Sequence, residues 1–533
     1  MKSGAVYIPV DPSLRSARLH AILVDCKPAL VLSDVPHALD LDAYISEERL
    51  LRLDTIKAAG QTTESRASSE APCAMVYTFR TTGTPKGLIL THHSMLNNVE
   101  GTLTQVDPGS QNVLQQSALT FDMSLWQPLV ALASGGTACI VPSEAGVDPG
   151  QVSQIIRDAK VTLTVATPSE YTAWMQAGSS RLQASRSWTH AYLGGEAATH
   201  DLLRKFAKLE LDDLHVVNSY GPAEVCCYSH AIELDYKGVL PERIPLGLPM
   251  ANYSAYVVGD QVRPLPIGWP GEILIGGVGV GKGYLNQVEL TSRSFIPDTF
   301  SDDEQKAQGF TTLFRSGDKG RMRADGALLF DGRIDGSTQV KLRGIRIELQ
   351  DIESCILNAA DGCLSNALVT VRDEDIARFL VAHVVSSPDF ASDARAALLA
   401  QLRGKLSLPT YMKPNMLIEL DALPVGRHSK IDRRAVQSLP LPSSASEESP
   451  VDLTPRELEV RQLWCDALPE DAVSALAPKP DTDLIAIGGN SLLIVQLHTL
   501  LQEYTGKRMP LVDLFDNTTI RSMADLLDME AAE

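Results

Sequence analysis

The run Tyr77-Thr78-Phe79-Arg80-Thr81-Thr82-Gly83-Thr84-Pro85-Lys86-Gly87 concentrates hydroxyls, glycines and one lysine in a single short stretch. A strand opening into Thr-Thr-Gly-x-Pro-Lys-Gly offers backbone N–H groups, hydroxyl donors and a cation at close spacing, and a polyphosphate is a ligand that needs all three. The competing reading of the same residues is a hairpin turn ending in a surface lysine. A second glycine-rich stretch, Gly276 to Gly283, has the spacing Gly-x4-Gly-Lys but continues with Gly283. The hydroxyl that would ligate magnesium in that motif is missing, so the stretch is predicted to be a turn between antiparallel strands.

Three further segments bear on the same chemistry. Asn218-Ser219-Tyr220-Gly221-Pro222-Ala223-Glu224 places an aromatic face and a carboxylate on a tight turn just after a strand. Ser316-Gly317-Asp318 puts a carboxylate in a loop, where it could accept two hydroxyl protons, as a ribose demands. Gly332-Arg333-Ile334-Asp335, followed by Gln339 to Glu348, is dense in charge between apolar positions. Toward the C-terminus, Asp483-Leu484-Ile485-Ala486-Ile487-Gly488-Gly489-Asn490-Ser491-Leu492-Leu493 brings a serine to the start of an amphipathic helix. A helix N-terminus favours a phosphodiester at that serine; a plain Gly-Gly-Asn-Ser cap is the simpler alternative. His92, His93, His190 and His200 show no ligand spacing on one face and are read as caps or surface residues, not as a metal site.

The elements that must position these residues alternate up to about residue 220. Leu19, Ile22 and Leu23 mark one face of a helix that Lys27-Pro28 ends, before a short strand over Ala29 to Leu32. Cys73 to Thr78 reads as a strand entering the Gly/Thr loop, with a helix after His93. Val152 to Ala159 reads as a helix, and Val161 to Ala166 and Leu214 to Asn218 as strands. Such alternation predicts a largely parallel sheet covered by helices, with ligands at the C-terminal ends of its strands. From about 250, Gly271 to Gly277, Thr311 to Arg315 and Ala327 to Phe330 read as short strands between Gly/Asp/Pro turns, which predicts an antiparallel subdomain. A further α+β unit follows Gly332, with a strand over Ala367 to Val371 and a helix around Ala394 to Leu406. Residues 438–451 are rich in Pro, Ser and Glu and read as a linker. Thr454-Pro455-Arg456-Glu457 then has the residues of a capping box, opening a small helical domain.

Composition narrows the class. The 533 residues suggest three or four units at roughly 150 residues each, and 44% hydrophobic with 21% charged content is that of a globular chain. A formal charge of -19, from 66 acidic against 47 basic residues, argues against nucleic acid and anionic membrane as partners. No run reaches the roughly 18–20 apolar residues of a membrane span, and Met1-Lys2-Ser3-Gly4 does not open a signal peptide. The eight cysteines lack C-x-x-C spacing, which fits a reducing cytoplasmic setting better than a zinc site or a disulfide framework.

In their order along the chain these motifs resemble those of the adenylate-forming enzymes, specifically the adenylation domains of nonribosomal peptide synthetases. The likeness runs from Lys2-Ser3-Gly4-Ala5-Val6-Tyr7-Ile8-Pro9-Val10-Asp11-Pro12 to Lys430, and the C-terminal unit resembles their carrier domains. Gly332 to Gln339, with Leu349-Gln350-Asp351-Ile352-Glu353-Ser354, looks most like fungal polyketide–peptide hybrid synthases. The resemblance implies a multidomain α/β protein with large and small adenylate-forming subdomains and a four-helix carrier domain. Its boundaries would be 1–331, 332–436, a linker at 437–453 and the carrier at 454–530. It further implies that an amino acid and ATP give an aminoacyl-adenylate, which is passed to a 4′-phosphopantetheine thiol on Ser491.

By the same resemblance Thr81, Thr82, Gly83 and Lys86 would form the phosphate loop. Tyr220 would stack on adenine, Glu224 would reach Mg2+, and Asp318 and Arg333 would hold the ribose. Asp335 would be a hinge and Lys430 the catalytic lysine. Asp122, in Phe121-Asp122-Met123-Ser124-Leu125-Trp126, would pair with the substrate's α-ammonium group, because a buried carboxylate calls for a cation. Met123, Trp126, Ala166, Tyr192, Gly194, Ser219, Cys227 and Tyr228 would line the pocket. Their apolar and aromatic character suggests a bulky hydrophobic or aromatic amino acid. Implied partners are a phosphopantetheinyl transferase and other synthetase domains, such as condensation, reductase or cyclase units. Three departures stand out: Phe79-Arg80 replaces the family's small Ser-Gly pair, Ala223 replaces a threonine, and the family has further sequence before Lys2. A remnant acting only as a carrier, or an acyl-CoA ligase, are the alternative readings; Asp122 and the carrier motif disfavour the ligase.

Overall fold

The computed structural model describes residues 3–10, 16–33, 49–53, 64–65, 67–78, 85–142, 148–334, 339–342, 345–374 and 377–387. It further describes parts of 390–424, then 433–440, 453–467, 491–505 and 517–531, with single positions between. The chain divides into two units, Met1–Gly146 with Gly150–Ser337 and Val147–Pro149 with Thr338–Glu533.

In the first unit, helix α1 (Ser16–Cys26) buries Leu19, Ile22 and Leu23 on one face, as their spacing predicts. The strand expected over 29–32 forms slightly later, as β1 (Val31–Ser33), pairing in parallel with β2 (Leu50–Arg52). β3 (Pro72–Thr78) does not lead straight into a helix. It turns back as an antiparallel hairpin into β4 (Lys86–Thr91), and only then does α2 (His92–Leu103) begin. Thr91 caps α2 in a box with Ser94, which is why the helix starts there. Leu88 and Leu90 are fully buried in the hairpin, each contributing about 1.5–3 kcal/mol.

The predicted parallel sheet follows. β5 (Asn112–Gln115), α3 (Met123–Ala133), β6 (Thr137–Ile140), α4 (Pro149–Asp158), β7 (Leu163–Ala166) and α5 (Pro168–Gln183) lead to β8 (His190–Leu193), α6 (His200–Ala207) and β9 (His215–Tyr220). β10 (His230–Glu233) and β11 (Leu248–Pro249) complete a seven-stranded sheet among the described residues, in the order β11-β10-β9-β8-β7-β5-β6. β5 to β9 run parallel, and β10 is antiparallel to both its neighbours, β9 and β11. β7 and β8 are buried along their whole length, as a sheet covered on both faces requires.

The antiparallel subdomain expected beyond 250 is present. β12 (Tyr253–Val258), β13 (Gly271–Gly277), β14 (Phe295–Pro297), β15 (Thr312–Met322) and β16 (Leu328–Arg333) form one sheet, with α7 (Val288–Ser294) and α8 (Asp303–Ala307) between strands. The glycine-rich stretch leaves β13 at Gly277 and then runs beside β4. There the N–H of Ile89 donates to the Gly283 carbonyl and that of Lys282 to the Ile89 carbonyl. The stretch thus pairs with β4 through its backbone, where a turn between two antiparallel strands was expected.

The second unit holds an α+β core and a helical core. In the first, β17 (Gln339–Leu342) pairs with β18 (Ile345–Glu348), α9 (Leu349–Ala359) packs on β19 (Leu364–Glu374), and β19 pairs with β20 (Ala377–Ser386) and then β21 (Met416–Glu419). The short helix Arg433–Gln437 is tied down by Arg433, which donates to the Glu353 carboxylate at 2.6 Å and to the Val369 carbonyl at 2.8 Å. The helix expected around 394–406 falls partly outside the described residues. In the helical core, Pro455–Ala467, Ser491–Thr505 and Ile520–Ala531 bury Trp464, Leu497 and Met523, among others. The box at Thr454 forms: its N–H donates to Glu457 at 2.8 Å, and the Glu457 N–H donates back to its hydroxyl at 3.2 Å.

Candidate nucleotide and amino acid site

Tyr220 ends β9, Asp318 lies in β15 and Arg333 ends β16, nearly a hundred residues apart in part, yet they form one cluster. Asp318 and Arg333 are register partners across β15 and β16. The Arg333 guanidinium donates to Asp318 at 2.6 Å and to the Ser316 carbonyl at 2.8 Å, and the Tyr220 hydroxyl donates to the other Asp318 oxygen at 2.5 Å. The Ser316 hydroxyl accepts from the Asp318 N–H at 3.0 Å and donates to the Ile273 carbonyl at 2.6 Å, so Ser316, Gly317 and Asp318, expected in a loop, are held within β15. Gly317 has φ of +67°, and a Cβ there would come within 3.0 Å of the Arg333 guanidinium, so this position needs glycine. Burial and the Asp318 charge hold the Tyr220 phenol well above its ordinary value, so it stays a neutral donor.

Just beyond Tyr220, a Cβ on Gly221 would lie 2.5 Å from the Tyr228 backbone. The glycine lets the two ends of this loop pass in contact. Between them, Glu224 is carried on the short helix Ala223–Val225 and is 3% exposed. One of its oxygens accepts from the Tyr284 hydroxyl at 2.8 Å, and the other is buried with no hydrogen-bond partner. An unpaired buried carboxylate oxygen suits a cation such as nucleotide-bound magnesium. Among the described residues no group of three His, Cys, Asp or Glu side chains is placed to hold a metal alone, so Glu224 would share such an ion with phosphate oxygens.

Lys86 starts β4 and is 5% exposed, with its ammonium 5.6 Å from the Tyr284 ring centroid. The hairpin reading thus holds for the backbone, but the lysine is buried, not a surface residue. Tyr284 therefore stands between Lys86 and Glu224. It is a residue the sequence reading missed; Gly281 and Gly283 beside it were the available signal of close backbone approach. Thr81, Thr82, Gly83, Phe79-Arg80, Asp335 and Lys430 lie outside the described residues.

Asp122 caps α3 and is 7% exposed. Its two oxygens accept from the N–H groups of Met123 and Cys227, both at 2.9 Å. Burial holds its carboxyl above the ordinary value; those two N–H bonds act against this, and the charge of Glu224 adds to it. Cys226 and Cys227 both take left-handed conformations, with φ of +62° and +65°, which cost about 1–3 kcal/mol each for such residues. The Asn98 amide holds the turn by donating to the carbonyls on either side of Cys227, those of Cys226 and Tyr228. That strain aims the Cys227 N–H at Asp122.

Trp126, Tyr192 and Tyr228 pack beside this turn, and Met123, Ala166, Gly194 and Ser219 complete the expected set at the C-terminal ends of β7, β8 and β9 and the start of α3. Asn98 and Thr102 were not among the expected residues. With Ser94 they form a polar, fully buried stripe at four-residue spacing on α2, which the helical period could have shown. His190, expected as a cap or surface residue, is buried in β8 and stacks on His215 at 5.1 Å. His92 and His200 are the first residues of α2 and α6, and the His93 ring meets Glu70 at 3.1 Å. In the helical core, Ser491 opens a 15-residue helix, a terminus that suits a covalently held phosphodiester.

A parallel sheet whose last parallel strand brings Tyr220 to Asp318 and Arg333 of a second sheet, in a chain that also holds a small helical core, is the arrangement of an adenylate-forming enzyme with a carrier domain. The pattern of the AMP-binding enzyme family matches residues 1–285, and that of the phosphopantetheine attachment site matches 459–527. The chain belongs to the AMP-binding enzyme family. The hybrid PKS-NRPS synthetase traA of Penicillium crustosum is 39% identical over 535 residues, covering 99% of this chain and 14% of that protein. Trichosetin synthetase PKS-NRPS1 of Gibberella fujikuroi is 39% identical over 534 residues, covering 99% of this chain and 13% of that one. The chain thus spans about a seventh of the length of these relatives. Holo-PA1221, an NRPS protein containing adenylation and PCP domains, shares the fold with a TM-score of 0.77 at 23% identity, over 99% of this chain and 84% of its own. A four-domain nonribosomal peptide synthetase, holo-AB3403, bound to AMP and glycine, aligns with a TM-score of 0.52 at 28% identity, over 99% of this chain and 37% of its own. The two matched regions bring with them the use of ATP and a covalent phosphopantetheine.

Proposed function

We propose that this chain activates an amino acid with ATP as the aminoacyl-adenylate and passes the aminoacyl group to a phosphopantetheine thiol on Ser491, as one module of a larger hybrid polyketide–peptide synthetase. The observation that carries this reading is Asp122. It is a buried carboxylate held by two backbone N–H groups and faced by no cation among the described residues. An α-ammonium group supplies the missing charge. A fatty acid or other plain acid does not.

The nucleotide end follows from the cluster around Asp318. A ribose diol can donate to Asp318 while Arg333 pairs with the carboxylate and keeps it in place, and Tyr220 offers its ring to the base. Lys86 and Thr81, Thr82 and Gly83 would hold the phosphates, with Glu224 reaching their metal ion. Lys430 would bind the substrate carboxylate and offset charge developing on the α-phosphate. Asp335 lies just before the boundary between the two units at Ser337, a position that supports its reading as a hinge. The phosphopantetheine arm supplies a thiol nucleophile; Ser491 supplies its point of attachment and the helix end that favours the phosphodiester. The domain limits 1–331, 332–436 and 454–530 belong to the same reading. So do a phosphopantetheinyl transferase, a condensation, reductase or cyclase partner, and a cytoplasmic site of action; among the described residues no helix is long and apolar enough to cross a membrane.

Amino-acid-dependent exchange of pyrophosphate into ATP tests the activation step. The expected outcome is exchange with at least one amino acid, abolished by Lys430→Ala. Exchange with carboxylic acids that lack an amino group, at rates equal to those of amino acids, would defeat the reading.

A further inference from the structure

Beyond Asp122 the packing limits what side chain can enter. The Trp126, Tyr192 and Tyr228 rings lie with centroids 5.9 to 6.2 Å apart, and each packs on the other two. None is more than 2% exposed. The polar ends of Trp126 and Tyr228 are fastened to α2. The Thr102 hydroxyl donates its single proton to the Asn98 carbonyl at 2.9 Å. It must therefore accept from both neighbours, the Trp126 indole N–H at 3.2 Å and the Tyr228 hydroxyl at 2.6 Å. A ring that swung aside would leave a buried donor unpaired. Among the other residues of the expected pocket, a Cβ on Gly194 would meet the Ser219 hydroxyl at 3.0 Å, and that hydroxyl is bound to the Leu193 carbonyl at 2.7 Å.

We propose that the pocket admits a small amino acid side chain, and that Thr102 is the positioning residue that holds Trp126 and Tyr228 across the space a larger one would need. This rests on the reading of Asp122 as an ammonium anchor. It replaces the bulky substrate expected from the aromatic content of the pocket, because those rings face one another.

Binding of non-hydrolysable aminoacyl-sulfamoyl adenosines to the full chain, measured by calorimetry, tests it without requiring turnover. The glycyl and alanyl compounds are expected to bind at least about tenfold more tightly than the phenylalanyl and tryptophanyl ones. Trp126→Ala should reverse that order. Thr102→Val should narrow the ratio by about threefold or more while AMP still binds, and Thr102→Ser, which keeps the oxygen, should retain the wild-type ratio. Equal or tighter binding of the aromatic compounds by the wild type would overturn the small pocket, and an unchanged ratio in Thr102→Val would overturn the role of Thr102. Binding of none of the four, with AMP still bound, would instead overturn the amino acid reading beneath it.

Discussion

Asp122 combines two costs that an empty site must bear: a buried carboxylate and a second one, Glu224, close enough to oppose its ionisation. Its folded pKa is raised by burial. The fold therefore favours the protonated form, and stability without substrate is lost as pH rises from the ordinary carboxylate value through the raised one. Asp122→Asn removes the carboxylate charge but also one of the two N–H bonds, since its NH2 group cannot accept. It should leave the thermal midpoint of the first unit at pH 7 within about 2 °C of the wild type, while abolishing amino-acid-dependent exchange. Calorimetry and exchange on the same sample check both, and a midpoint lowered by more than that would show that the carboxylate stabilises the empty fold. The pair at Phe79-Arg80 calls for the opposite experiment. Small residues let backbone wrap closely around phosphates, so replacing the pair with Ser-Gly should increase the exchange rate by about tenfold or more. No increase would mean that Arg80 compensates through its charge. At this scale the sequence was informative wherever a residue type was unusual for its surroundings. Asp122 and Asp318 declared themselves as carboxylates in apolar or turn contexts. Thr102 and Tyr284 did not, because their roles depend on partners twenty-four and sixty residues away in the chain.

Among the elements, alternation of strand and helix patterns was enough to predict the parallel sheet of β5 to β9, since each buried strand is a short β-branched run. It was not enough for β3 and β4. Both are apolar, and their residue types do not show that they pair antiparallel, with Gly87 packed so closely that a Cβ would lie 2.7 Å from the Met75 sulfur. His190 and His230 show the same limit. A histidine within a strand carries no mark of burial in its own residue type, yet burial depresses both. For His230 the value falls from 6.5 to about 3. The unfolded chain then binds a proton that the fold refuses, so stability falls as pH drops below 6.5 and continues to fall toward about 3. His230→Leu should leave the midpoint of the first unit less sensitive than the wild type to a change from pH 7 to pH 5. Parallel thermal melts across that range test this, and equal slopes would place the acid sensitivity elsewhere.

For the whole molecule, the chain divides into two units where its length suggested three or four, and the change of texture near 250 falls inside the first unit, where one buried cluster joins residues of both sheets. Residues 441–452 of the linker, Lys430 and Thr81 to Gly83 lie outside the described residues, and their roles rest on the family to which the chain belongs. What joins the units functionally is the proposed transfer from the site around Asp122 to Ser491. Intact-mass measurement of the full chain tests that transfer most directly. After treatment with a phosphopantetheinyl transferase and coenzyme A, the chain should gain one phosphopantetheine, and Ser491→Ala should gain none. Addition of ATP and an amino acid should then add one aminoacyl group to the wild type, with no addition when ATP is withheld. A chain that takes up the arm but gains no further mass with any amino acid would contradict the account, leaving a carrier without an activating partner in its own sequence.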